Sequence, residues 1–171
     1  MENKYAEVNE YDHQMIDAYI QKPEVTSWYV NAFKRFNVNG VDVMKWHWSW
    51  WAFFGNVFYL LYRKAYLPAG ILFALNMLVG FIPFGGLILW ILAGGYSPYY
   101  VYKTYKQKKL EIERAINKED TSKRLETIEV VGGTNEWAIW LGIIVSFFLW
   151  GIFFSAMAMV LTTIGLIIIA K

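Results

Sequence analysis

The residues able to do chemistry are few and scattered. His13 and Asp17 stand four apart, close enough on a helix to share a proton or a metal. Two ligands fall short of the three or four that a metal site needs. With Glu10 and Asp12 beside them, they read as a solvated polar face. His47 lies among tryptophans, where an imidazole either titrates near neutral pH or hydrogen-bonds at an interface; the second is the expectation. Ser146 and Ser155 have no His or Lys near them in sequence to activate a hydroxyl. No phosphate loop, G-x-S-x-G, H-E-x-x-H or dinucleotide motif is present. The chain has no cysteine, which removes thiolate metal sites and disulfides. No catalysis and no cofactor are expected.

The basic residues are more suggestive. Arg63-Lys64 separates an aromatic run from a long apolar one, as a pair that contacts lipid phosphates or a partner's carboxylates would. Lys103, Lys106, Lys108 and Lys109 follow the next apolar run. Each lysine of such a cluster contributes about 1 kcal/mol against an anionic leaflet. A net charge of +2, with acids interleaved, is too small for a nucleic-acid binder.

The elements that must carry these residues follow from the distribution of charge. Of 171 residues 57% are apolar and 19% aromatic, and no Asp, Glu, Lys or Arg occurs in 46–62, 65–102 or 137–170. A soluble helix shows a polar face within two turns; these stretches show none. The expected class is an all-α integral membrane protein.

Residues 1–45 read as a polar helical leader, with 5 basic and 7 acidic side chains, unlike a cleaved signal. Tyr5, Val8, Tyr11, Met15, Ile16, Tyr19 and Ile20 form one helical stripe that Pro23 ends. A second helix is expected over 24–36, then a turn at Asn37, Asn39 and Gly40. Their aromatic faces need cover, from each other or from the membrane surface.

Residues 46–66 hold Trp51, Phe53, Phe54, Tyr62 and Tyr66 among ten aromatics. That load suits a helix lying in the interface, or dipping partway in, better than a full span. Residues 67–102 are expected to be a transmembrane helical hairpin turning at Phe81-Ile82-Pro83-Phe84-Gly85-Gly86. Gly94, Gly95 and Pro98 would kink or shorten its second arm. Residues 103–136 form a charged helix and loop, with Thr134 or Asn135 as a cap for the next helix.

The segment 137–171 admits two readings. A hairpin turning near Trp150-Gly151 gives four spans and is preferred, because it puts Trp150 at an interface; one long helix gives three. Small residues at helical spacing, Gly70/Ala74, Gly142/Ser146 and Gly151/Ser155, are candidate packing surfaces. The positive residues all flank one side of the first hairpin, so leader and linker are expected in the cytoplasm.

The stretch Trp46 to Tyr66 resembles the bacterial membrane family of domain of unknown function 2628. That family's hallmark is an aromatic run of the form W-x-A-F-F-F-G-P, closed by Y-R-K-M-Y. Trp51, Ala52, Phe53, Phe54, Gly55, Phe58, Tyr62, Arg63, Lys64 and Tyr66 match it, and Phe33-Lys34-Arg35-Phe36 resembles its upstream portion. Asn56 and Ala65 differ from its usual Pro and Met. The likeness covers about residues 16–105. It implies an inner-membrane location and no particular activity.

The expected function is a small inner-membrane scaffold or accessory subunit. It would contact anionic lipid headgroups and a membrane-protein partner or a second copy of itself. A homo-oligomeric channel or transporter component is the alternative. A sensor of anionic lipid, acting through Arg63, Lys64 and the lysine cluster, is a third reading.

Overall fold

The structure, a computed structural model, describes residues 10–38, 40–79 and 82–169, apart from the side chains of 149, 150, 153, 154, 156, 160 and 164–169. Tyr5, Val8, Asn39, Phe81 and Lys171 lie outside the described residues, as does the Trp150 side chain. Among the described residues, seven helices and one small hairpin follow in chain order: α1 (Glu10–Ile20), α2 (Pro23–Phe36), β1 (Asn37–Val38), β2 (Val41–Asp42), α3 (Trp50–Tyr62), α4 (Tyr66–Val79), α5 (Gly85–Ala115), α6 (Thr121–Val131) and α7 (Glu136–Ile169).

The leader folds as its pattern requires. Met15, Ile16, Tyr19 and Ile20 of α1 are buried, and Pro23 opens α2 at a position where its missing N–H costs nothing. The expected turn after α2 closes as a two-residue antiparallel hairpin, with Asn37 opposite Asp42 and Val38 opposite Val41. Cover for the aromatic faces comes from within the chain. Phe33 lies 5.3 Å from both Tyr102 and Tyr105, Phe36 lies 5.4 Å from Tyr99, and Tyr19 lies 5.2 Å from Tyr105. These tyrosines stand three apart on α5, so they line one face of it. Such ring pairs contribute about 0.5–1.5 kcal/mol each beyond burial. The outer half of α5, with α1, α2 and α6, is therefore one aromatic core.

Residues 46–66 are two structures rather than one. The chain to Ser49 is extended, and α3 begins only at Trp50, with the Ser49 hydroxyl accepting from the Ala52 N–H. Inside α3 the backbone breaks at Asn56 (φ 44°, ψ −120°), a left-handed φ that Asn tolerates better than most residues. The Asn56 side chain accepts from the Asn76 amide at 3.3 Å, and Asn76 also donates to the Leu72 carbonyl of its own helix, α4. The helix α3 packs against α4, α5 and α7.

The α4–α5 hairpin turns at 82–84, as expected, with Phe84 in the left-handed region. The second arm is not divided at Gly94, Gly95 and Pro98: α5 runs through them as one helix. Pro98 has no N–H to offer the Gly94 carbonyl four residues back. That carbonyl instead accepts from the Ser49 N–H at 2.9 Å, and the Gly95 carbonyl accepts from the His47 N–H at 2.9 Å. The glycine pair is thus a docking strip for the extended 46–49 segment. A Cβ on Gly95 would come within 2.4 Å of the Trp46 ring, and one on Gly94 within 2.9 Å of Trp48.

The preferred hairpin in 137–171 is not formed. Residues 136–169 are one helix of 34 residues that passes through Trp150 and Gly151 without turning. At 1.5 Å per residue it is about 51 Å long. One glycine amid helix-forming Leu, Ile, Phe and Met costs about 1 kcal/mol and does not stop a helix; no proline or polar turn residue stands there to help it.

Candidate functional site

The backbone carbonyls at a helix C-terminus lack intrahelical partners and attract donors and cations. Here three such ends, of α1, α3 and α6, meet beside the start of α7. The basic pair Arg63-Lys64 sits at the centre of them. Lys64 adopts a left-handed φ of 55° that ends α3, and the chain reverses into α4 at Ala65.

Arg63 is the more enclosed of the two. It is buried, 6% exposed, and its Nη1 donates to the Ile20 carbonyl at the end of α1, 3.2 Å away. Its guanidinium lies 4.6 Å over the Tyr29 ring and 5.2 Å from the Tyr62 ring. Its Nε has no hydrogen-bond partner. Lys64 donates to the Gly132 carbonyl just beyond α6, and Lys108 to the Val131 carbonyl at 2.7 Å. Gln21 donates to the Glu129 carbonyl, and the Gly133 N–H returns a 2.7 Å bond to the Tyr19 carbonyl. Burial and the neighbouring Lys64 ammonium both push the Lys108 ammonium below the usual lysine range, with Glu111 partly opposing them. Asn135, expected as a cap, instead turns its amide to the Leu61 carbonyl (3.4 Å) and the Tyr66 hydroxyl, while its N–H bonds the Tyr62 carbonyl at 2.8 Å. It fastens the start of α7 to the end of α3.

The other lysines of the cluster also bind within the chain. Lys103 (3.3 Å) and Lys106 both pair with Asp42 of β2, which accepts a further bond from the Tyr102 hydroxyl at 2.7 Å. Lys109 pairs with Asp12 of α1 and lies 3.6 Å from Glu113. Burial raises the Asp42 pKa, but the hydrogen bonds from Lys106, Tyr102 and Lys103 outweigh it and hold the carboxyl below its usual range. This cluster clamps the leader to α5.

Of the aromatics singled out in sequence, Trp51 (80% exposed), Phe54 and Tyr66 face outward. Phe53 packs 5.4 Å from Trp48, and Tyr62 lies against Arg63. The small-residue pairs separate in the same way. Gly142 packs so closely on Phe58 that a Cβ would lie 3.0 Å from its ring, whereas Gly70 and Gly151 face open space and Ala74 and Ser155 are exposed. Ser146 bonds the Gly142 carbonyl of its own helix.

Asp17 accepts from the Thr26 hydroxyl at 2.7 Å, tying α1 to α2. Among the described residues no three His, Asp or Glu come together to hold a metal. His47 packs 4.8 Å from Trp28 and 6.0 Å from Phe36. Sequence reasoning missed Asp42, Arg124 and the stripe Tyr99-Tyr102-Tyr105. Arg124 is buried and donates to the Ile116 and Glu113 carbonyls that end α5. The tyrosine stripe was visible as a spacing of three across the end of an uncharged run; Asp42 was visible as the lone acid between α2 and the tryptophans.

Beside Arg63, between α2, α3 and α7, opens a cavity of about 1090 Å3 walled largely by aromatic side chains. Arg63, Lys22 and Glu24 are its charged lining.

Fold and site together define a nearly all-helical protein. Among its described residues one helical stretch is long and apolar enough to cross a membrane, its apolar part lying in α7. The chain belongs to the protein family of unknown function DUF2628, whose family model matches residues 5–93. The match includes the leader, all of α3 and α4, and the first part of α5. No curated protein and no solved structure matches the chain.

Proposed function

We propose that this is a multi-pass protein of the bacterial inner membrane, with leader and linker cytoplasmic, serving as a scaffold or accessory subunit of a larger assembly. One contrast carries the reading. The polar module, made of the leader, the linker and the charged half of α5, holds Lys64, Lys103, Lys106, Lys108 and Lys109 against the chain's own carboxylates and carbonyls. Around it, large apolar side chains of α4, α5 and α7 are left uncovered, among them Leu67 (76% exposed), Ile88 and Phe147. A monomer in water rarely exposes an apolar patch beyond a few hundred Å2. Lipid and partner helices are the natural cover for such a surface.

With α7 as one helix, α4, the uncharged half of α5 and α7 give three spans. The lysines that flank them on one side favour a cytoplasmic leader. Purification from its own membrane in mild detergent, followed by weighing the particle and identifying its contents, tests the role. A particle of fixed ratio with an unrelated protein supports it. A closed homo-oligomer that conducts after reconstitution overturns it in favour of a pore.

A further inference from the structure

A buried guanidinium without a carboxylate is an incomplete arrangement. Removing a charge from water costs several kcal/mol unless a counter-charge and hydrogen bonds compensate. Among the described residues Arg63 has one carbonyl, two ring faces, a side-chain hydrogen bond with Tyr29, an Nε with no partner, and no Asp or Glu in an ion pair. It lines a cavity at the upper end of the roughly 300–1,000 Å3 typical of ligand sites. The remaining charged lining, Lys22 and Glu24, cancels, so the cavity's polar end carries a net charge of +1.

The shape sets what can fill it. The cavity's polar end lies where α3 ends and α7 begins; its apolar end reaches Ser146 and Phe147. From Glu136 to Phe147 α7 rises about 16 Å. Half of a bilayer's hydrocarbon core is about 15 Å. A charged end at the level of the helix start, and an apolar slot one leaflet deep, match a lipid and not a compact metabolite. We propose that this cavity is a binding site for one anionic phospholipid of the cytoplasmic leaflet. Its phosphodiester meets Arg63, and an acyl chain lies between α3 and α7 against Phe58 and Phe147. The guanidinium suits this role, because its fork matches phosphate oxygens better than an ammonium does. The inference rests on the membrane placement proposed above.

The test uses the full chain in nanodiscs of phosphatidylcholine containing a minor fraction of phosphatidylglycerol, read by native mass spectrometry. One retained phosphatidylglycerol per chain is expected, enriched about tenfold over its share of the disc. A phosphatidylglycerol carrying a photoreactive acyl chain should crosslink at Phe58 and Phe147. Ser146→Trp fills the apolar end while leaving Arg63 in place, and should bring retention down to the bulk share with the melting temperature unchanged. Arg63→Gln should abolish the headgroup preference; should that variant fail to fold, Ser146→Trp still decides. Equal retention of both headgroups, retention unaffected by Ser146→Trp, or crosslinks spread over α4 instead of Phe58 would overturn the site. Alkaline carbonate extraction separates the two readings. A chain that stays in the membrane but retains no phosphatidylglycerol sinks the lipid site alone, and one that is extracted sinks the membrane placement as well.

Discussion

Arg63 and Asp42 are the residues on which the polar module turns. Arg63 closes the end of α1 from a position 43 residues away, using both a hydrogen bond and the faces of Tyr29 and Tyr62. Truncation to Ala leaves the Ile20 carbonyl unpaired and a void against two rings. The expected loss is about 3 kcal/mol, read as a lowered melting temperature in detergent. Lys at the same position should recover only part of it, because an ammonium lacks the planar fork. Asp42 makes the module's stability depend on pH. Its folded pKa is depressed, so its contribution is present above the unfolded value of about 3.9 and is lost as pH falls through the folded value. Asp42→Asn should cost about 1 kcal/mol at pH 7 and flatten the acid limb of a stability–pH profile below pH 4. An unchanged acid limb would remove Asp42 from the account.

At the scale of elements, close approach of backbone and ring decides the packing of α3 on α5. The extended 46–49 segment lies on α5 because Gly94 and Gly95 offer no side chain and Pro98 leaves a carbonyl unclaimed. Gly95→Leu should push Trp46 off the helix, cost about 2–3 kcal/mol and shift tryptophan emission to the red. Gly70→Ala is the contrasting case. Nothing lies within 4 Å of its Cβ, so the substitution should stabilise α4 by about 0.5–1 kcal/mol. A destabilised Gly70→Ala chain in detergent would show that this face meets another helix in the isolated protein. The kink at Asn56 belongs to the same scale. It lets one half of α3 follow α5 while its side chain reaches Asn76, a partner on a separate helix.

For the whole molecule, the proposed topology turns on the continuity of α7. In the proposed orientation, one crossing after a cytoplasmic linker would carry the C-terminus to the outer side; a hairpin would return it. Fused at Lys171, alkaline phosphatase should therefore be active and green fluorescent protein dark, whereas fusions within 116–120 should show the reverse. The opposite pattern at Lys171 would mean that the membrane bends α7 back or that the orientation is inverted.

The sequence by itself determined α1, α2, α4 and the start of α5. Charge-free runs, Pro23 and the Pro83–Gly86 turn marked them closely, because each depends on local sterics and on periodicity read over a few turns. The family too was legible in the aromatic-Arg-Lys-aromatic core. Only the tertiary structure decided what the cations do. A lysine next to an apolar run has the same local signature whether it meets a lipid phosphate or a carbonyl 68 residues distant, as Lys64 does. Gly94 and Gly95 likewise read as helix breakers until Trp46 and Trp48 are seen lying on them. The Arg63 cavity was legible only in part. Its charge and aromatics stand together at 58–63, but its second wall is α7, some 80 residues later, and no local rule brings the two together. Which polar group finds which partner is a long-range choice, set by where helices end in space.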